Sequence, residues 1–512
     1  MLTPEYLDGL TDDILAMYDA LNESIIEDMS RRIVKTEMVT ETAAWQMKQA
    51  QEMGALYEDV IERISEVSGY TADELKKLFE DAGVENIRYE NDLMSQMGLM
   101  PIELRQSETM MKLLKAGLEK TSRDLTNLTL TTAIRAQNAY YDATNLAYLQ
   151  VSSGVLSYQE AVKRAVLNTA KEGVTVLYPS GHTDKIDVAV RRAVLTGVNQ
   201  TAAKMNLEYC DESGCDFVET TAHSGARPSH EVWQGKVFCI SGKSNMYPPF
   251  SETGYGTGAG LCGWNCRHNF HAFWPGISVP AYTEKMLASY SAREYEYNGK
   301  KLTDYECSQM QRSMERKIRE TRRQLTACNA AMETTEDVVL KEKLKMAFEN
   351  KSVCLKAQET DLKDFCRKTK RPVASSRLQV YAVIDNQGRI VGFNKSVSQK
   401  AVQANIRYQK VENSDIINIS DKQFGKKVGK HTKEYGLNPQ SSVDRQRMRH
   451  FILDIVENAD EVREGNWRSQ EGLCQFYIKG PDVVVTRGKE FVTILKGGVE
   501  NARVKNAGKR KI

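Results

Sequence analysis

The chain has 512 residues, 41% of them apolar and 27% charged, and its formal net charge is only +2. A single hydrophobic core rarely extends beyond about 300 residues, so this length predicts about two to four domains. The composition argues against a disordered chain, and no run approaches the ~18 apolar residues of a membrane span. The first twenty residues carry several acids and no basic residue, unlike an export signal. We therefore expect a protein that is made in the cytoplasm and uses no membrane.

The charge is unevenly distributed along the chain. Residues 373–512 hold 25 lysines and arginines against 15 aspartates and glutamates, a balance of +10 that leaves −8 for residues 1–372. A basic C-terminal part either meets a polyanion or only faces solvent. The ten cysteines lie at irregular spacings, which is typical of free thiols in a reducing compartment and not of a disulfide framework.

Residues 1–172 are predicted to form a helical body. They contain few glycines, and their apolar residues recur three and four positions apart, the pattern of long packed helices. Two sequences match the capping box that begins a helix, Thr71 with Glu74 and Ser157 with Glu160. Each of them predicts a helix start.

Residues 173–280 are predicted to form a small α+β region. The segment VTVLY is typical of a strand, an amphipathic helix follows, and FVETTAH alternates like a second strand. The sixty residues 217–276 then concentrate four of the seven histidines, three of the ten cysteines and three of the five tryptophans: His223, His230, His268, His271, Cys239, Cys262, Cys266, Trp233, Trp264 and Trp274. Such rare and chemically capable residues indicate a compact site. The connector GYGTGAG fits neither common nucleotide-binding glycine pattern, so we expect it to allow close approach of the backbone.

Four of these side chains suggest a metal site. Cys262, Cys266 and His268, joined by His230, would supply two thiolates and two imidazoles, enough for a closed tetrahedral zinc site. The spacing C-x3-C-x-H is not that of a standard zinc finger, and cysteine and tryptophan also pack well without a metal. Two alternatives stay open, a zinc site and a packed core with no cofactor.

These segments also resemble a known family. YPSGHTDKIDVAVRRAVLTGVNQTA, ETTAHSGARPSHEVWQGKVF, GYGTGAGLCG and NCRH closely resemble the minor capsid proteins of tailed phages, which are related to the MuF head-morphogenesis family. The resemblance covers about residues 1–360. It implies a few copies per virion inside the head near the portal, with portal and capsid proteins as partners, and no established enzymatic activity for this part.

Five positions match the MuF-type motif by this resemblance: Arg227, His230, Gly235, Cys266 and Arg267. The motif commonly ends in C-R-C, whereas this chain has His268 in place of the second cysteine. The departure keeps a candidate metal ligand and argues against a disulfide.

Residues 281–372 return to charged helix. Opposite charges stand three and four positions apart beside a thin apolar seam, which predicts a long helical arm or coiled-coil hairpin. We favour a spacer or docking pair of helices over a nucleic-acid-binding helix.

Residues 373–512 are predicted to be a basic α+β domain. A hairpin at RLQVYAVIDNQGRIVGFNK precedes helices over 421–435 and 442–458, and the four strands EVREGNW, LCQFYIK, DVVVTR and EFVTILK follow. This order of two helices and a four-stranded antiparallel sheet resembles the fold of barnase, EndoU, colicin-D and RelE ribonucleases, whose phage-associated members occur at the C-termini of MuF-type proteins. The resemblance implies a metal-independent RNase effector of a phage or prophage, carried in the head and delivered with the DNA, and it admits an immunity protein as a partner.

The domain contains candidates for that chemistry. RNA cleavage by transesterification to a 2′,3′-cyclic phosphate needs a base, an acid and cations near the phosphate. Histidine is the commonest proton-transfer residue, which makes His431 the first catalytic candidate. The other catalytic candidates are Lys427, Arg463 and Thr493, and the nucleic-acid-binding candidates are Lys430, Lys479 and Arg487. They line one cleft if Arg463 and Thr493 share the sheet face that the helices cover.

Three interpretations remain at this point. The first is a minor capsid protein that carries an RNase effector. The second is a purely structural minor capsid protein whose basic domain binds packaged DNA without cleaving it, with salt-sensitive binding as its signature. The third is a free-standing toxin, which would leave the long helical body unexplained.

Overall fold

The computed structural model describes residues 2–35, 42–96, 98, 100–101, 103–380, 382–384, 390–412, 417–419, 429–437, 442–468 and 472–510. The chain divides into two units, Met1–Val397 and Ser398–Ile512. The hairpin that the sequence places at the start of the basic domain belongs to the first unit by this division.

The first unit is mainly helical. Its α-helices are α1 Pro4–Gly9, α2 Asp12–Lys35, α3 Thr42–Gln96, α4 Glu108–Ser152, α5 Tyr158–Glu172, α6 Ile186–Ser213, α7 Pro228–Glu231, α8 Glu284–Tyr290, α9 Asp304–Thr334 and α10 Val338–Lys368. The fold class predicted for this part, a body of long helices, is confirmed. Among the helices that the structure describes, none is long and apolar enough to cross a bilayer.

The two predicted helix starts have different outcomes. Ser157 caps α5, because its hydroxyl accepts the backbone N–H of Glu160 at 3.3 Å. Thr71 lies inside α3 and donates its hydroxyl to the Val67 carbonyl at 2.7 Å, so the start predicted there was wrong. Thr71 belongs to the buried stripe of α3, whose members lie four or seven positions apart: Leu56, Val60, Ile64, Thr71, Leu75 and Phe79. Packing along this stripe holds one helix through the capping sequence.

The predicted helix pair of residues 281–372 is present as α9 and α10. The two helices pack along each other, with Ile318, Leu325, Leu344 and Phe365 buried. Helix α9 also packs on α2 and α5. This explains why so many of its polar residues are buried, including Arg323, which is 3% exposed.

Short strands complete the first unit: β1 Thr175–Leu177, β2 Thr183–Lys185, β3 Phe217–Thr220, β4 Val237–Cys239, β5 Phe270–Ala272, β6 Tyr295–Tyr297, β7 Lys300–Leu302, β8 Ala382–Ile384 and β9 Ile390–Phe393. They form three two-stranded hairpins and one antiparallel three-stranded sheet in the order β4-β3-β5. This sheet positions the predicted site, because β3 and β5 bring the two halves of residues 217–276 side by side.

The second unit is α+β. Its described elements are α11 Ser396–Glu412, which begins just before the unit, α12 Gly429–Glu434, α13 Ser442–Glu457, β10 Glu461–Gly465, β11 Cys474–Lys479, β12 Asp482–Arg487, β13 Glu490–Leu495, α14 Ala502–Lys505 and β14 Gly508–Arg510. The four predicted strands form an antiparallel sheet, and β14 adds a fifth strand at the edge of β10. The sequence gives no signal for β14, since Gly-Lys-Arg has no apolar alternation.

The sheet of the second unit buries both faces. On one face α13 packs through Met448 and Ile452 against Val484 and Ile494. On the other face Trp467, Phe476, Val485 and Val504 form a separate core. The side of the sheet on which a strand residue lies therefore decides which residues it can meet.

Candidate functional site

The predicted site lies where two loops return to the three-stranded sheet. Strand β3 is central, so that Val218 pairs with Phe238 of β4 and with Ala272 of β5. One loop leaves β3 and carries His223 and His230, and the other enters β5 and carries the N-C-R-H segment. Helix α6 packs on β5.

The glycine-rich connector allows close backbone packing, as predicted. A Cβ atom at Gly260 would overlap the carbonyl of Gly254, and one at Gly263 would overlap the carbonyl of Gly258. At Gly258 a Cβ would come within 2.7 Å of the Trp264 indole. The connector thus folds back on itself, and only glycine fits these positions without a shift of the backbone.

Four predicted side chains meet in a buried group, which we call the His/Cys cluster: His223, His230, Cys266 and His268. The Cys266 Sγ atom lies 3.6 Å from Nδ1 of His268 and 3.9 Å from Nδ1 of His230. The ring centroids of His223 and His268 are 4.4 Å apart. Trp233 closes the cluster, with its ring 4.8 Å from that of His268.

Two other predicted members lie outside this cluster. The Sγ atom of Cys262 donates to the carbonyl of His268 at 3.4 Å, so three of the four predicted zinc ligands converge and Cys262 does not. His271 points elsewhere and pairs through Nε2 with Glu219 Oε2 at 3.3 Å. All ten cysteines of the chain are free.

Hydrogen bonds fix the far side of both imidazoles that face Cys266. Nε2 of His230 lies 2.9 Å from the carbonyl oxygen of Ala259. Nε2 of His268 lies 3.0 Å from Oε1 of Gln234, which also accepts the backbone N–H of His223 at 3.3 Å. Because these oxygens are acceptors, both Nε2 atoms carry the ring proton.

Burial keeps the cluster uncharged. It lowers the pKa of His223 to about 4, lowers that of His230 and lowers that of His268 well below its ordinary value. Burial also raises the pKa of the Cys266 thiol. Neutral imidazole is the form in which histidine binds metals.

A set of buried asparagines ties the cluster to the helices, and we call it the asparagine network: Asn86, Asn199, Asn206 and Asn269. Asn199 donates to the carbonyls of both Cys266 and His268 at 3.0 Å. Asn269 donates to Asn199 at 2.8 Å, Asn206 to Asn269 at 3.0 Å, and Asn86 of α3 to Asn206 at 2.7 Å. This network was not predicted from the sequence. Its signal is two asparagines seven positions apart on the otherwise apolar face of α6.

The remaining motif positions have structural contacts. Arg227 donates to the carbonyl of Trp264 at 2.6 Å and joins the two loops. Gly235 has a φ of +65°, and a Cβ there would lie 2.7 Å from Leu287. Arg267 forms an ion pair with Asp8 at 3.5 Å.

Asp8 is the centre of a second group that the sequence analysis missed. Besides Arg267, three arginines approach it within 2.9 to 3.7 Å: Arg191, Arg312 and Arg377. Burial by itself would raise the pKa of Asp8, but the positive charges of Arg377, Arg267 and Arg191 outweigh it and lower the pKa to about 2. These arginines come from α6, α9 and two connecting segments, so no local sequence pattern predicts that they meet. They line a cavity of about 620 Å³ that also borders His230, Cys266 and His268.

The candidate nuclease residues of the second unit do not share one cleft among the residues described. Arg463 pairs with Phe476 and Thr493 with Val485, so both lie on the face opposite α13. Arg463 is bound to Glu461 at 2.9 Å and donates to the Val504 carbonyl at 3.0 Å. The condition for a shared cleft with His431 is therefore not met.

The other candidates lie apart as well. His431 on α12 contacts Glu434 through Nδ1 at 2.8 Å. Lys479 forms an ion pair with Asp454 at 2.6 Å, and Arg487 is exposed at the turn between β12 and β13. Lys427 and the side chain of Lys430 lie outside the described residues.

A known protein family matches the first part of the chain. The model of the family described as phage minor capsid protein 2 matches residues 2–367. The chain belongs to this family of phage structural proteins. It is similar to a protein of Lactococcus phage LL-H described as "Structural protein", with 25% identity over 294 residues that cover 54% of this chain and 76% of the relative. No solved structure matches the chain.

Proposed function

We propose that this protein is built into the head of a tailed phage near the portal, and that its C-terminal unit holds packaged DNA without cleaving it. The observation that carries the proposal is the position of the positive charge, which is concentrated in the part of the chain beyond the family match. The family model ends at residue 367, and residues 398–512 beyond it hold 22 lysines and arginines against 14 aspartates and glutamates, a balance of +8. A basic unit attached to a capsid protein would face the most concentrated polyanion in the virion.

Geometry favours binding over cleavage. His431, Arg463 and Lys479 contact acidic side chains of their own unit. Arg487 and Lys489, in contrast, are exposed together at the turn between β12 and β13. Cations on a turn can approach phosphates of any sequence and release counterions, which supports sequence-independent binding.

The full-length protein tests the proposal through binding of labelled duplex DNA at increasing salt. We expect the logarithm of the binding constant to fall linearly with the logarithm of salt concentration. The double variant Arg487→Glu and Lys489→Glu is expected to weaken binding and to reduce this slope by about 2.

A matched control is present in the first unit. Lys300 and Lys301 are also exposed on a hairpin, so Lys300→Glu with Lys301→Glu changes the net charge by the same amount. The control is expected to leave DNA binding unchanged. Equal losses in both double variants would show that net charge and not the C-terminal unit is responsible, and absence of DNA binding in the wild-type protein would overturn the proposal.

The RNase effector stays a prediction that the same samples test. RNA incubated with the full-length protein is expected to stay intact. RNA fragments that end in 2′,3′-cyclic phosphate with the wild-type protein, but not with His431→Ala, would contradict the DNA-holding proposal and support the effector function. That result would justify a search for an immunity protein. Placement near the portal predicts density for this protein at the portal vertex alone, which an asymmetric reconstruction of the virion would check.

A further inference from the structure

Two imidazole nitrogens in the His/Cys cluster are aimed at one sulfur atom. Nδ1 of His268 and Nδ1 of His230 lie 3.6 and 3.9 Å from Cys266 Sγ. These three residues are each no more than 2% exposed, and their ligand atoms lie within 4.8 Å of one another.

Hydrogen bonds within the protein cannot give both Nδ1 atoms a donor. Both Nε2 atoms donate their protons, to the Ala259 carbonyl and to Gln234, so both Nδ1 atoms are acceptors. The Cys266 thiol has a single proton. It can serve only one of the two nitrogens or the His268 carbonyl at 3.8 Å, so at least one Nδ1 then faces sulfur lone pairs in a buried site, which is unfavourable.

We infer that His230, Cys266 and His268 bind a borderline-soft divalent cation of the zinc class through Nδ1, Sγ and Nδ1. A tetrahedral zinc ion with bonds of about 2.3 Å to sulfur and about 2.1 Å to nitrogen holds these atoms about 3.6 Å apart. The two observed distances agree with that spacing. Two imidazoles and a thiolate are ligands that zinc prefers over magnesium or calcium.

The surroundings are those of a prepared metal site. Imidazoles that bind a metal usually donate their other N–H to a carboxylate, a backbone carbonyl or water, which fixes the tautomer. Here the Ala259 carbonyl and the Gln234 side-chain oxygen are the acceptors. The backbone N–H of His268 also points at Cys266 Sγ at 3.4 Å, which would stabilise a thiolate. The cluster borders the cavity of the first unit, so water can supply the fourth ligand.

The site would lock the two loops of the motif together. His230 and Cys266 are 36 positions apart and are joined by the glycine-rich connector. Binding of one ion closes this long loop in the folded state, and binding energy of this kind contributes directly to folding. The proposed ligand set differs from the one expected from the sequence, because Cys262 is not among the residues whose ligand atoms lie within 4.8 Å of one another.

Metal content and cobalt absorption test the proposal on the full-length protein. Purified without chelators, it is expected to contain about one zinc ion per chain by elemental analysis. Replacement of zinc by Co²⁺ is expected to produce a thiolate-to-cobalt charge-transfer band, which reports a sulfur ligand without any mutation. Wild-type protein that takes up no Zn²⁺ and shows no such band with Co²⁺ would overturn the proposal.

Two cysteine variants test the ligand assignment. Cys266→Ser is expected to lose the cobalt band and at least tenfold in zinc affinity, measured by competition with a chromophoric chelator. Cys262→Ser is the matched control, because Cys262 is equally buried and only four positions away. It should keep both the band and the affinity. Loss of the band in Cys262→Ser, or its retention in Cys266→Ser, would contradict the assignment.

A variant of Gln234 tests the site without replacing any of the proposed ligands. Gln234 is a positioning residue, since its Oε1 atom accepts from the His268 ring and from the backbone N–H of His223 and is not itself a proposed ligand. Gln234→Ala is expected to weaken zinc affinity by about tenfold or more while the cobalt band persists. An unchanged affinity in this variant would contradict the tautomer argument.

Discussion

The His/Cys cluster of the first unit buries its polar side chains and joins them to one another, whereas the ion pairs described in the second unit are partly exposed. His268 is 1% exposed and contacts Gln234, Cys266 and His223 at once. Lys479 forms an ion pair with Asp454, and both side chains are about a third exposed.

This difference has an energetic meaning. A buried polar group costs free energy unless all its hydrogen bonds are made, so a buried network tolerates few changes. Exposed ion pairs contribute little and can be exchanged. We therefore expect substitutions at the cluster to destabilise the protein and substitutions in the second unit to alter surface binding. Four substitutions test this comparison, in order of decreasing effect.

The largest effect is expected for Gly260→Ala. The new Cβ would overlap the Gly254 backbone, which cannot rotate away as a side chain can, so we expect a loss of about 3 kcal/mol or more in the free energy of unfolding. Gly54→Ala in α3 is the control, since a Cβ there meets nothing within 4 Å, and it should stabilise by about 0.5 to 1 kcal/mol. Urea denaturation followed by tryptophan fluorescence measures both. A neutral Gly260→Ala would mean that the connector is not folded back on itself.

Asn199→Ala is expected to cost about 2 to 3 kcal/mol, because two buried carbonyls and the Asn269 amide lose their partner. The comparison is Asn458→Ala at the end of α13, where the amide contacts Asp454 at the surface and the expected cost is below about 0.5 kcal/mol. Thermal unfolding of the two variants measures this difference. Equal costs would remove the contrast between the units.

Asp8→Asn is expected to cost about 2 kcal/mol near neutral pH, because four arginines lose their common countercharge. The pKa of Asp8 is lowered to about 2 from an ordinary 3.8. Its contribution is therefore complete above the ordinary pKa and is lost as the pH falls through about 2. Denaturation of wild type and variant at several pH values should show the two curves converging in acid.

Asp454→Asn is the control for the Asp8 prediction, since it breaks the partly exposed pair with Lys479 and should cost less than about 1 kcal/mol. A gap between wild type and Asp8→Asn that stayed constant down to pH 2 would show that the carboxylate charge is not what stabilises this group.

The smallest effect is expected for Thr493→Val. Among the described residues its hydroxyl has one weak contact, with the Ile494 carbonyl at 3.5 Å. The side chain faces the core away from α13, so the cost should stay within about 1 kcal/mol. DNA binding should not change. If the wild-type protein cleaved RNA and this variant did not, the catalytic role predicted from the sequence would be restored.

Several parts of the site could be predicted because their signal is local. His230, Cys266 and His268 lie in two short segments of unusual composition, and the first segment follows the predicted strand FVETTAH. The asparagine network has a weaker signal in the sequence, since asparagines are common at surfaces and their burial depends on which helix packs over them. The Asp8 group has none, because its members are spread from residue 8 to residue 377.

Sequence by itself determined the long helices, the four main strands of the second unit, the capsid-family motif and the concentration of histidine and cysteine, because each depends on side chains close together in the chain. Tertiary structure alone decided that two imidazoles approach Cys266 while Cys262 stays outside their group. It also decided that Arg463 and Thr493 lie on the sheet face opposite α13. The physical reason is that a loop's path and a strand's register are fixed by packing across the whole unit, and a side chain's face follows from them.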